Sequence, residues 1–439
     1  LPTIIMMLVV SLYTIVDGVL IARLVGENAL AAANVAYPAI SFTLAMGIML
    51  GTGGSAVVAH KMGAGYLEEA RRDFGFLALV AVCIGLAVCL AGALFAGPLA
   101  RLLGASDLLL DDTVTYLRVQ LCFAPMAMLQ LLFESFFVTA GRPGLGLGLA
   151  VAAGVTNAVL DYLYMGPMQM GILGAALGTV TGYSIPAVVG VLFFLLRRQG
   201  LRFGRPHGDL HMLGRACFNG ASEMVTNLSM AVTTFLFNAI MMAYLGEAGV
   251  SAITIVLYAQ FLLVSLYMGF SMGVAPVFSF NRGAGRYDRM RRIFGYCLRF
   301  ILVSSVAILA VALALSGVVV GIFSTPGSQV YAIALDGFRR FAPAFLFAGV
   351  NIFSSALFTA LSDGRTSAII SFARTFGFLL LGLLLLPRML EVDGVWLAVP
   401  LAELLSCLLS VWFLRRKRAA FGFGGGDLPR HGGRGGGRT

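Results

Sequence analysis

Charge is scarce in this chain. Only 11% of its 439 residues are Asp, Glu, Lys or Arg, against about 25% in soluble domains, so there is too little polar surface to cover a water-soluble globule. The cysteines Cys83, Cys89, Cys122, Cys217, Cys297 and Cys407 are scattered without CxxC spacing, which implies no disulfide framework and reads as small buried hydrophobes. No HExxH is present, and no Ser or Cys shares a predicted span with a His positioned to activate it. Asp111-Asp112 stands alone, without the second Asp-rich motif of a prenyl-diphosphate enzyme. An enzyme, and any cofactor, is therefore not expected.

What the chain has instead is apolar length. Hydrophobic residues make up 59% of it and the mean hydropathy is +0.93. Runs of about 20 apolar residues, enough to cross about 30 Å of hydrocarbon, recur between short polar breaks. Twelve spans are expected: a first helix through Asp17, then roughly residues 34–59, 74–97, 114–140, 145–168, 172–197, 215–244, 250–277, 293–319, 334–361, 366–387 and 393–414. The first run opens at Leu1 with neither Met nor a charged flank, so helix one is expected to lack its start. Asp17 interrupts that run and no small-residue cleavage site ends it, which argues against a signal peptide.

The spans fall into two copies of one unit. Val25-Gly26-Glu27 returns as Leu245-Gly246-Glu247, Gly63-Ala64-Gly65 as Gly283-Ala284-Gly285, and Arg71-Arg72 with Phe74-Gly75-Phe76 as Arg291-Arg292 with Phe294-Gly295-Tyr296, each pair 220 positions apart. Phe123-Ala124-Pro125 faces Phe341-Ala342-Pro343 at 218, and Thr139-Ala140 faces Thr359-Ala360 at 220. The fold expected is an all-α polytopic membrane protein of two six-helix lobes related by a pseudo-two-fold axis. Six spans per lobe is an even number, so both copies share one topology and the axis runs along the membrane normal. The lobes are expected over residues 1–198 and 215–418, with a cytoplasmic linker over 199–214 and a disordered Gly/Arg-rich cytoplasmic tail over 419–439.

Basic residues set the orientation. Nineteen follow even-numbered helices, through Arg418, and six follow odd-numbered ones, which places both termini in the cytoplasm. The formal charge of +10 is thus mostly a topology signal, and a nucleic-acid partner is not expected. His207 and His211 flank Asp209 in the Arg-rich linker, and no metal site is read there. Gly51, Gly53 and Gly54 lie inside a span with no preceding strand, so close helix packing explains them better than nucleotide binding.

Chemistry in such a chain is sought among acids at membrane depth, because a carboxylate there is costly unless paired, hydrated or protonated. Five of the twenty acids fall well inside the spans, away from their ends: Asp17, Glu134, Asp161, Glu223 and Glu403. Tyr13 precedes Asp17 by one helical turn, and Asn157 precedes Asp161 by the same interval, so each pair shares a helix face. Thr179 adds a hydroxyl on helix six. If helices one, five and six pack together, two carboxylates and three neutral polar groups share a cavity that holds a proton or a cation, Na+ included; otherwise each acid caps a helix end or meets interfacial water. Glu223 either draws a cationic solute inward or pairs with a basic residue. Glu134 and Glu403 are read as structural pairs. Met46, Met49, Met230 and Met272 either line an adaptable apolar cavity or simply pack helices.

A resemblance rests on these residues. Pro2, Asp17, the run Gly26-Glu27-Asn28-Ala29-Leu30-Ala31-Ala32, the Gly-rich second helix ending near Gly63, and Asn157-Ala158-Val159-Leu160-Asp161 followed by Gly174-Ala175-Ala176 and Thr179 resemble the multidrug and toxic compound extrusion (MATE) family, in its DinF-like and MepA-like branches. The resemblance covers nearly the whole chain. It implies a secondary active antiporter of the bacterial or archaeal cytoplasmic membrane, working as a monomer in the lipid bilayer. Its cargo would be organic cations, drugs or dyes, exported for inward H+ or Na+. It also implies a coupling-ion site at Tyr13, Asp17, Asn157, Asp161 and Thr179, a helix-one bend at Pro2, and a second-lobe cation residue at Glu223. Helix ten departs from the pattern, with no carboxylate around Asn351 to Ser355. The alternative function is a flippase for a lipid-linked sugar or cell-wall precursor, which would need several Arg residues at membrane depth; Arg299 and Arg374 are the main ones.

Overall fold

The structure, a computed structural model, describes residues 1–418; the Gly/Arg tail lies outside the described residues. Fourteen α-helices are described: α1 (Pro2–Leu24), α2 (Glu27–Gly63), α3 (Leu67–Leu102), α4 (Leu110–Cys122), α5 (Ala124–Thr139), α6 (Pro143–Met165), α7 (Gly171–Leu196), α8 (Leu210–Gly283), α9 (Tyr287–Ala314), α10 (Ser316–Phe323), α11 (Gln329–Phe341), α12 (Ala344–Ala360), α13 (Gly364–Phe372) and α14 (Leu380–Arg416). A π-helical turn, Ala373–Leu379, joins α13 to α14.

Twelve crossings follow from these elements. Eight helices are long and apolar enough to span a bilayer, and α4 with α5 and α11 with α12 form two further spans, each bent by 55°. Two of the eight are too long for one crossing. The 74 residues of α8 would reach about 110 Å at 1.5 Å per residue, and its backbone turns at Gly246 (φ 63, ψ −150), a conformation that glycine adopts readily and residues with a Cβ only at a cost. The run Gly364–Arg416 turns likewise at Glu391 (φ 51, ψ −130).

The duplication is visible in the backbone. Both bent pairs break at the repeated Phe-Ala-Pro, where Pro125 and Pro343 lack the N–H that would continue the preceding helix. Gly65 and Gly285 terminate α2 and α8 with the same cap: each donates three residues back, to Met62 O and Arg282 O, while Tyr66 and Arg286 donate to Lys61 O and Asn281 O.

Each lobe has its own core. In the first, Phe74 packs on Phe136, Phe194 and the linker residue Phe203, with ring centroids 4.5, 4.6 and 4.8 Å away. The linker is held in place as well, since Gly204 donates to Arg71 O (3.0 Å) and Arg71 Nε donates to Gly200 O (2.9 Å). In the second lobe Tyr267, Phe338, Phe341, Phe345 and Trp396 are fully enclosed. Large apolar side chains also face outward, among them Leu86, Leu90 and Leu94 of α3 and Val303 and Val306 of α9, the inverse of a soluble surface and the match for lipid.

Between the lobes, α2 and the start of α1 lie against both halves of α8. A Cβ on Gly53 would meet the backbone of Ala216 and Gly220, one on Gly220 the backbone of Met49, and one on Gly63 the carbonyl of Phe280. Thr3 and Ile4 of α1 press in the same way on Gly273 and Gly269. These small-residue contacts let helices approach closely where lipid offers no hydrophobic driving force. They all lie in the half of the molecule that carries the first residues and the linker, so the lobes are closed at that end.

Candidate functional site

Five helices of the first lobe contribute pairs of polar residues one turn apart: Tyr13 and Asp17 on α1, Tyr116 and Gln120 on α4, Gln130 and Glu134 on α5, Asn157 and Asp161 on α6, and Thr179 and Tyr183 on α7. The spacing keeps each pair on one face, and the packing of the helices turns these faces inward to one place. All five residues expected at this site, Tyr13, Asp17, Asn157, Asp161 and Thr179, come together through α1, α6 and α7.

Asp17 and Asp161 face each other within hydrogen-bonding range. Asp161 is 0% exposed. Among the described residues, neither of its carboxyl oxygens, nor Oδ1 of Asp17, nor Nδ2 of Asn157 makes a hydrogen bond of normal geometry, although Asn157 stands beside the Asp161 carboxyl. Two carboxylates at this range repel unless a positive charge lies between them. A shared proton supplies one, and a hard cation bound by oxygens supplies the other. Either would let the two carboxyls stand together inside the lobe.

Small residues make the pair fit. A Cβ on Gly178 of α7 would fall on Asp161 Oδ1, one on Gly182 would lie 3.3 Å from Asn157 Cβ, and one on Gly154 of α6 would lie 2.9 Å from the Tyr13 ring. The GxxxGxxxG spacing of Gly174, Gly178 and Gly182 therefore brings α7 against α6.

Around the carboxyls stand residues that sequence reasoning missed. The Tyr116 phenol lies between Gln120 and Thr179 and close to both Asp17 and Asp161. Thr179 itself donates to Ala175 O at 3.0 Å. Tyr183 is near Tyr13, Tyr116, Tyr37 and Asp17. Tyr13 approaches Gln130 and Glu134 as well as Asp17, and Gln130 Nε2 donates to Glu134 Oε1 at 3.1 Å. The i,i+4 recurrence of polar residues in apolar spans was the signal available for these. Pro2 occupies the first turn of α1, where a missing N–H interrupts no helical bond.

The second lobe is built differently. Arg374, on the π-helical turn, directs Nε and Nη2 to Glu403 Oε1 at 2.8 and 2.6 Å. Glu403 Oε2 accepts from Asn351 Nδ2 at 2.7 Å, and Asn351 Oδ1 accepts from Ser410 at 3.0 Å. The helix-ten region without an acid thus receives one from α14, already neutralised. Glu223 lies one turn past Gly220, within electrostatic range of Arg374. Beside it Ser222, Ser355, Thr359, Ser367 and Ser371 form a buried hydroxyl cluster, with Ser367 donating to Ser222 Oγ at 2.8 Å. Met46 packs in the first-lobe core, whereas Met230 is exposed.

The MatE family profile matches this chain over residues 2–163 and again over residues 224–384, once per lobe. The chain belongs to the MatE family. Its members are membrane transporters, and the expected twelve-helix, two-lobe plan is the plan found. Known relatives include the multidrug export protein MepA of Staphylococcus haemolyticus (strain JCSC1435), 23% identical over 420 residues that span 93% of this chain and 91% of that protein. MepA of Staphylococcus aureus (strain NCTC 8325 / PS 47) is 22% identical over 426 residues, 93% of this chain and 92% of that one. Among solved structures the chain is similar to a MATE in complex with MaL6, with a TM-score of 0.91 at 19% identity over 96% of this chain and 95% of that one. It is similar also to an outward-facing multidrug resistance MATE family transporter of the MOP superfamily, with a TM-score of 0.89 at 19% identity over 96% of this chain and 94% of that one.

Proposed function

We propose that this MatE protein is a secondary active antiporter that exports organic cations, drugs or dyes by alternating access, driven by inward H+ or Na+. One observation carries the reading: the Asp17 and Asp161 carboxyls, facing each other inside the first lobe with three of four oxygens lacking a hydrogen bond among the described residues. The MepA relatives, named for multidrug export, agree with it.

The excess of basic residues after even-numbered spans supports a reading in which both termini lie in the cytoplasm of a bacterial or archaeal cell. The lobes are then in contact at the cytoplasmic end. The exchange is a competition. Loading the carboxyl pair with a proton or Na+ weakens the hold on a cationic solute, directly or through the position of α1, and by linkage the solute weakens the hold on the ion to the same degree. Entry of the ion from outside discharges the solute. Each inward charge draws about 2.3 kcal/mol from 100 mV of membrane potential. Tyr13, Asn157, Tyr116 and Thr179 orient the carboxyls and complete the ion's oxygen and hydroxyl shell.

Glu223, next to the buried Ser222 and within electrostatic range of Arg374, is the second-lobe residue that would attract the cationic solute. Arg374 is engaged by Glu403, which weighs against the pyrophosphate clamp a lipid-precursor flippase would need. The test is dye movement in proteoliposomes containing the full chain, with a proton gradient and a sodium gradient imposed separately. Export under one gradient alone supports the antiporter and names its ion. No movement under either, with protein shown to be folded, removes it.

A further inference from the structure

A cavity of about 450 Å3 opens at the end of the molecule that carries the linker, lined by Leu210, His211, Gly214, Arg215, Phe218, Asn219 and Ser362. It belongs to no part of the ion site, which lies in the other lobe. We infer that this cavity binds the phosphate headgroup of an acidic phospholipid, with Arg215 and Asn219 on the phosphate and the acyl chains running past Leu210 and Phe218.

The lining has the required chemistry. Its charged member is Arg215, with His211 one turn away and no acid among the lining residues. The carboxylates adjacent in sequence to the lining residues Leu210 and Ser362 are engaged elsewhere. Asp209 caps α8 by accepting from Met212 N (3.0 Å), and Asp363 accepts from Thr366 Oγ1 (2.8 Å) and from Lys417. Asn219 is only 4% exposed, lines the cavity, and makes no side-chain hydrogen bond among the described residues. A buried amide that lines a cavity beside a guanidinium is suited to an oxyanion.

The walls are fixed rather than incidental. A Cβ on Gly364 would meet Phe218 O and Asn219 Oδ1, so the loop between α12 and α13 presses directly on α8. Within that loop Ser362 adopts φ 54. The same turn in the first lobe, with matching hydrogen bonds, places Gly141 at φ 73. The second copy thus holds a hydroxyl in a glycine conformation at the cavity wall, a strain that clusters at functional sites.

Free phosphate and a lipid headgroup share the anionic chemistry, and two features favour the lipid. Leu210 and Phe218 are 74% and 54% exposed, an apolar rim that inorganic phosphate does not need. Basic pockets between helices at the cytoplasmic face are a recurring site for acidic headgroups. His60 of the first lobe also stands within range of Arg215 and of Arg282, so an anion bound at Arg215 lies close to where the two lobes meet.

The test measures thermal unfolding of the purified full chain with phosphatidylglycerol, phosphatidylcholine or inorganic phosphate, for wild type, Arg215→Gln, Arg215→Lys and Arg365→Gln. Arg365 is an exposed basic residue of the same surface that does not line the cavity. The inference expects phosphatidylglycerol to raise Tm by about 4 °C over phosphatidylcholine, a gain lost in Arg215→Gln and kept in Arg215→Lys and Arg365→Gln. Equal effects of the two lipids on wild type, or equal losses in Arg215→Gln and Arg365→Gln, would overturn the site. A gain reproduced by inorganic phosphate, with nothing added by the lipid, would overturn the lipid as its ligand.

Discussion

Gly178 of α7 sits against Asp161 of α6 so closely that any side chain at 178 would occupy the position of Asp161 Oδ1. The carboxyl proposed to hold the coupling ion is thus placed by a residue that carries no chemistry of its own. Gly178→Ala is expected to leave a folded protein, destabilised by about 1–3 kcal/mol as overpacked sites are, with ion-driven export reduced at least about tenfold, in line with loss of a coupling free energy. Dye efflux measured beside the Tm of the same preparation checks this. Full export in Gly178→Ala would show that Asp161 need not hold its position.

Removing one partner of the Arg374–Glu403 pair leaves a buried charge unmatched. Glu403→Gln is expected to cost about 3–5 kcal/mol, whereas replacing both residues with apolar ones of similar volume is expected to cost much less. Unfolding of the two single variants and the double variant decides it. Additive losses would show that the pair is not coupled.

Gly246 turns α8 between its two crossings with φ 63 and ψ −150. Gly246→Ala forces a Cβ into that region, at a cost of about 1–3 kcal/mol. Gly18 has open space around it and no positive φ, so Gly18→Ala is expected to leave Tm nearly unchanged. Equal Tm values for both variants would contradict the turn.

Asp209 lies outside the spans, and its carboxyl is held below the usual carboxylate range by the Met212 N–H it accepts. A depressed folded value means that its contribution is complete above the unfolded value of about 3.9 and fades as pH falls through the folded one. Asp209→Ala is therefore expected to lower Tm at neutral pH, and the difference from wild type to shrink below about pH 4. Asp209→Asn, which also caps, is expected to lose less. A wild-type advantage over Asp209→Ala that grows on acidification would contradict the cap.

Much of this was legible in the sequence because a bilayer imposes length. Spans of about 20 apolar residues and the 220-residue repeat located the crossings, and acids such as Asp17 and Asp161 stood out against their apolar neighbours. Helix ends were less legible. Residues 34–59 and 74–97 were expected, while α2 runs Glu27–Gly63 and α3 runs Leu67–Leu102, since a helix continues beyond hydrocarbon and Lys61, Glu68 and Glu69 end an apolar window without ending the helix. The bends at Phe123 and Ala342 fell inside single expected spans, because composition does not register a change of direction. Tyr116, Gln130 and Tyr183 went unnoticed, as a lone aromatic or amide in an apolar helix reads as packing until the tertiary fold turns it toward a carboxylate. The Arg374–Glu403 pair was likewise hidden: the residues are 29 positions apart on segments that meet only because the chain reverses at Glu391.

The most direct test of the central claim is competition between dye and coupling ion on the purified full chain, comparing wild type with Asp17→Asn and Asp161→Asn. Ethidium affinity is measured while H+ and then Na+ is raised. The account predicts that one ion weakens ethidium binding to wild type by about tenfold, and that both variants still bind the dye but no longer respond to that ion. Variants that respond as wild type does would contradict the carboxyl pair as the place where ion and solute compete.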